Sequence, residues 1–176
     1  MKILSETRAL EKLHELKTDF KNNIRRDYEH RAENCATCAT PGACCLDAHF
    51  VNVHITRLEA VTIREKINAL GRERRIAVLK RIDDAIERYD LLFEGDTFGR
   101  TYACPLFEKA IGCLVHKRGK PLACIAHACY EKKEDLPPDD LLIEQEDLVA
   151  KLNELTYRKP ATWLPIPVAV KEVVDR

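Results

Sequence analysis

The chain has 176 residues, enough to bury a core of its own, and its 29 basic and 29 acidic side chains cancel. That balance argues against a strongly electrostatic partner such as bulk nucleic acid or an anionic membrane surface. No apolar run approaches the roughly 20 residues that span a bilayer. The mixed-charge N-terminus lacks the apolar stretch of a secretory leader, so the expected compartment is a reducing cytoplasm.

In chain order, Ser5 to Arg31 reads as a helix, because Leu13, Leu16, Phe20 and Ile24 recur every three or four residues along one face. From Glu33 to Asp47 the pattern breaks into a loop around the turn signal Pro41-Gly42. Phe50, Val51 and Val53 suggest a short extended stretch. Thr56 followed by Glu59 is a capping-box signature, and the helix it opens is expected to stop at Gly71. A second helix should run from Glu73 to Phe93, and the short joint favours packing the two antiparallel. Periodicity fades between Glu94 and Lys120, where glycines leave room for one small hairpin. Pro121 suits the first turn of a short helix reaching Tyr130. Pro137-Pro138 breaks the chain, and Asp139 or Asp140 can cap a further helix to Leu155. The remainder, residues 156–176, holds Pro160, Pro165 and Pro167 around the single tryptophan, Trp163, and reads as an extended tail strapped across the body.

Eight cysteines are the informative anomaly. In a reducing compartment, gathered thiols point to metal ligation or redox chemistry rather than to a disulfide framework. Cys35, Cys38, Cys44 and Cys45 fall within eleven residues, and Cys104, Cys113, Cys124 and Cys129 within 26. The C-x2-C bend of Cys35 and Cys38 lets two sulfurs face one metal. The irregular later spacing does not fit the second knuckle of a zinc ribbon. If Cys44 and Cys45 lie in extended backbone their side chains diverge, which favours an iron–sulfur cluster over a single zinc ion. His49, His54, His116 and His127 each read first as surface or hydrogen-bonded histidines. His116, three residues after Cys113, is the best substitute ligand for zinc.

The cysteine surroundings resemble the YkgJ-type cysteine-cluster family of zinc- or iron-chelating domains. The resemblance rests on CATCATPGACC followed by VNVHITRLEA, and on CPLFEKAIGCLVHKRGKPLACIAHAC, covering Cys35 to Cys129. The first loop is longer than the family pattern, His116 stands at a usual aromatic position, and Ile125 replaces an arginine. The resemblance implies a metal or iron–sulfur centre held by all eight cysteines. Flagellin lysine N-methylases carry a similar motif, but no glycine-rich strand-to-helix turn for a nucleotide-like methyl donor is present here.

The resulting expectation is one mainly α domain spanning residues 1–176, with cysteine-rich loops in a region at 33–130 gathered around a metal or iron–sulfur centre. Its role would be metal handling or electron transfer, with a protein partner. Two alternatives are a cluster-dependent oxidoreductase or protein-modifying enzyme, for which no paired carboxylates or nucleophile elbow stand out, and a structural zinc domain for protein or nucleic-acid interaction. For the latter, the only basic stretches are Lys21 to Arg26 and Lys117 to Lys120, and both read as solvated faces.

Overall fold

The computed structural model describes residues 3–33, 40, 42–46, 52–92 and 95–175. The elements in chain order are α1 (Glu6–Asp27), β1 (His54–Ile55), α2 (Arg57–Asn68), α3 (Arg72–Arg88), β2 (Phe107–Glu108), β3 (Gly112–Cys113), α4 (Leu122–Ala126), α5 (Asp139–Tyr157), β4 (Leu164–Pro165) and α6 (Ile166–Val174). The fold is mainly helical, as the periodicity predicts. The chain nevertheless divides into two compact units, each made of two separate stretches: Met1–Pro41 with Lys120–Ala161, and Gly42–Gly119 with Thr162–Arg176. Sequence periodicity reports local faces and not which faces share a core, so it could not reveal this division. Among the described residues no helix is long and apolar enough to cross a membrane.

In the first unit, Ser5 caps α1 by accepting the Arg8 N–H, and Arg25 and Arg26 close the last turn where the helix dipole favours cations. Ala9, Leu13, Phe20 and Ile24 form the buried stripe, with Lys17 buried along it. This face packs on α4 and α5. The Leu4 N–H donates to the Leu155 carbonyl at 3.3 Å, and the Tyr157 hydroxyl donates to Glu6 at 2.7 Å. α4 is shorter than expected. It ends at Ala126 because His127 turns to extended backbone (φ −84°, ψ 127°).

In the second unit the capping box at Thr56 and Glu59 is formed in both directions, and both residues are buried. Gly71 does not close α2. With φ −58° and ψ 152° it is the N-cap of α3, and α2 ends at Asn68 with Ala69 as its C-cap, two residues before Gly71. α2 and α3 touch, but each packs more extensively on α6. α6 also corrects the expected extended tail. Residues 139–157 remain helical in α5, and Ile166–Val174 form a helix whose Ile166, Val168, Ala169, Val170 and Val173 are all buried. Prolines do not forbid it, because Pro165 precedes the helix and Pro167 lies in its first turn, where no intrahelical N–H bond is lost. Burial of β-branched side chains then outweighs their modest helix propensity.

Tyr102 locks this core. Fully buried, its hydroxyl donates to the Val53 carbonyl at 2.6 Å and accepts the Ile166 N–H at 3.0 Å. β1 and β4 pair antiparallel beside it, His54 opposite Pro165 and Ile55 opposite Leu164. Of the extended stretch expected before Thr56, Phe50 and Val51 lie outside the described residues.

Candidate metal centre

The second unit carries its four described cysteines on two segments distant in sequence. The first is a tight turn at Ala43–Cys45, closed by Cys45 N–H to Gly42 O at 2.8 Å. Gly42 adopts φ +83°, and a Cβ there would fall on the Phe107 ring, within 2.5 Å of its Cε1 and Cε2. Glycine is therefore required twice over, for the left-handed backbone and for the close approach of the ring.

The second segment is the hairpin of β2 and β3, with Phe107 opposite Cys113 and Glu108 opposite Gly112. The left-handed backbone of Ala110 and Gly112 turns it. Cys104 leads into the hairpin: its N–H donates to the Cys45 carbonyl at 2.8 Å, and its carbonyl accepts the Phe107 N–H at 3.1 Å. One backbone hydrogen bond thus joins the two segments at their cysteines. From outside, α3 grips the hairpin. Arg81 Nε donates to the Pro105 carbonyl at 3.1 Å, and Arg74 meets the Glu108 carboxylate at 3.3 Å.

The electrostatics follow from this gathering. The Cys45 thiol is held well above the ordinary cysteine range. Its hydrogen bond with Cys44 is the main cause, followed by burial and then by the nearby thiols of Cys104, Cys44 and Cys113. Negative charge on one sulfur opposes ionisation of the next. A bound cation reverses that logic, because it stabilises every thiolate at once.

The hydrogen bond between Cys44 and Cys45 also corrects the expectation that these neighbours diverge. Alternation holds for extended backbone, and residues 43–45 are a 3-10 turn instead. The reason for preferring a cluster over a single ion is thereby lost.

Cys44, Cys45, Cys104 and Cys113 are all half-buried. Leu106, within the same hairpin segment, is buried, while Phe107 and Leu114 are partly exposed. The other described cysteines belong to the first unit, Cys124 on α4 and Cys129 just after it, where the Cys129 carbonyl accepts the Glu33 N–H at 2.9 Å. Cys35, Cys38 and His49 lie outside the described residues. None of the six described cysteines is in a disulfide. Among the described residues no three His, Cys, Asp or Glu side chains converge into a formed metal-binding group.

The histidines divide clearly. His116 is exposed, its N–H bonded to the Cys113 carbonyl at 3.2 Å. His127 is exposed as well. His54 is structural: Nδ1 lies 2.7 Å from the Asn52 carbonyl, Nε2 lies 2.8 Å from the Thr97 hydroxyl, and the ring stacks on Phe98.

The sequence offers Leu106, Phe107 and Leu114 as apolar neighbours of the cysteines and the glycine beside Pro41 as a turn, but the supporting roles of Arg74, Arg81 and Glu108 were not visible in it. No protein-family model matches the chain, and no curated protein or solved structure is similar to it.

Proposed function

We propose that this is a metal-binding protein whose clustered cysteines hold an iron–sulfur centre or a zinc ion, acting in metal handling or electron transfer alongside a protein partner. One observation carries the reading. The Cys104 N–H donates to the Cys45 carbonyl at 2.8 Å, joining the turn that holds Cys44 and Cys45 to the hairpin that holds Cys113. Gathered thiols without a cation stay protonated, since each raises the cost of ionising the others. A bound cation would stabilise the thiolates together, and soft sulfur donors select zinc or iron over magnesium and calcium. The likeness of the cysteine spacing to the YkgJ-type family points the same way.

The donor chemistry of the second unit suits such a group, while its described sulfurs do not converge into a formed one. Four sulfur donors come from two short segments, both pinned by backbone hydrogen bonds. The ion would supply Lewis acidity or a redox couple, while the chain would fix the donors and limit water access. The test is elemental analysis of protein purified without oxygen, together with its absorption spectrum. Near-stoichiometric iron or zinc is expected, and purified protein carrying neither metal overturns the reading.

A further inference from the structure

We infer that the chain associates with a second copy of itself, the outer face of α5 in one copy docking on the exposed first turns of α3 in the other. The inference goes beyond the metal-binding reading and uses none of the cysteines, so either can fail without the other.

Charge is laid out unevenly along a chain whose total is zero. From Glu134 to Ala150 there are seven acidic side chains and no basic one. Asp139 and Asp140 lie in the first turn of α5, where the helix dipole favours them, but the dipole does not account for the acids further along. Val149 and Asn153 mark the buried side of α5. By helical spacing the opposite side carries a ridge of Asp140, Glu144 and Asp147, flanked by Ile143 and Leu148. All five are exposed, Ile143 by 52% and Leu148 by 48%. No salt bridge among the described residues engages the three carboxylates. Single exposed apolar side chains are ordinary, but two that bracket an unpaired acidic ridge form a face that a cationic, partly apolar surface complements.

The second unit carries such a surface. Every residue from Gly71 to Ala77 is exposed, so the first turns of α3 stand clear of the core, which begins at Val78. Arg72, Arg75 and Ile76 share one side of the helix at i, i+3 and i+4, and Ile76 is 55% exposed. Arg74 and Arg81 turn to the hairpin and Lys80 turns to Asp84, whereas no ion pair among the described residues occupies Arg72 or Arg75. Glu73 falls outside that side. Docking brings the two guanidinium groups to the acidic ridge and takes the flanking apolar side chains out of water. Each copy offers one face of each kind, so contacts made in both directions close a dimer and contacts in one direction extend a chain. Faces this small make a weak, salt-sensitive association.

The test is sedimentation equilibrium of the reduced full chain up to about 1 mM, where even weak complexes are populated. Association is expected at low salt. It should weaken as salt rises from about 0.01 M to about 1 M, which shortens the Debye length from about 30 Å to about 3 Å. Arg72→Glu/Arg75→Glu and Glu144→Lys/Asp147→Lys should each weaken it at least about tenfold. An equimolar mixture of the two variants should associate again, because each then offers the other a face of opposite charge. Circular dichroism checks that both remain helical; should one not, Ile76→Gln and Ile143→Gln take their place, and each must weaken association. A parent that stays monomeric at about 1 mM and low salt overturns the inference and leaves the two faces to other partners. Association that neither variant weakens, as a bridge through thiols or metal would give, overturns it as well. So does a mixture of folded variants that stays monomeric.

Discussion

Gly42→Ala should be the most damaging single-methyl change in the molecule, because it combines two independent costs. The backbone at φ +83° disfavours any L side chain, by roughly 1–2 kcal/mol. The new Cβ also falls on the Phe107 ring, and overpacking of this kind costs about 1–3 kcal/mol. Together these amount to about 2–5 kcal/mol, a large share of a typical domain's stability. The assay is urea unfolding followed by Trp163 fluorescence, since the single tryptophan lies in the same unit as Gly42. A double-mutant cycle with Phe107→Ala separates the two costs. Removing the ring should relieve the steric part, so the variants should couple by about 1–3 kcal/mol while the backbone part persists. Effects that add to within about 0.5 kcal/mol would refute the claim that Phe107 occupies the space above Gly42. Because Gly42 opens the turn holding Cys44 and Cys45, the same variant should bind metal more weakly than its stability loss alone explains.

Tyr102→Phe should cost only about 1 kcal/mol, because the Ile166 N–H also reaches the Val53 carbonyl at 3.2 Å and remains bonded; the shift in urea midpoint measures it. Arg81→Gln should free the Pro105 carbonyl and loosen the hairpin by about 0.5–1.5 kcal/mol, and faster chelator removal of bound metal would report it. Arg81→Lys should not restore tight binding, since a lysine lacks the planar fork that reaches Pro105 and Glu108 together. Burial holds His54 below its ordinary value of 6.5, against the upward pull of the Asn52 carbonyl and Asp96. The fold therefore favours the neutral ring. Its contribution is complete above the unfolded value and declines as pH falls from there toward the depressed folded value. The urea midpoint should accordingly drop between about pH 7.5 and about pH 5.5, and the drop should shrink in His54→Gln.

The sequence by itself determined the local elements. The stripe of α1 and the capping box at Thr56 and Glu59 follow from spacing and capping chemistry, which act within a few residues, whereas the helix after Pro137-Pro138 opens on Pro138 itself with no side-chain cap from Asp139 or Asp140. It also marked the cysteines as the residues of interest. Tertiary structure decided which backbone segments meet. Cys45 and Cys104 are joined by a backbone hydrogen bond that no periodicity encodes, while Cys124 and Cys129 fold with the other unit. It decided as well that residues 166–174 become a helix, since their prolines spoke for an extended strap and only burial against α2 and α3 overrode them. Local rules act through bonded neighbours, whereas the grouping of sulfurs depends on how distant faces share a core, and that is settled only when the chain has closed on itself.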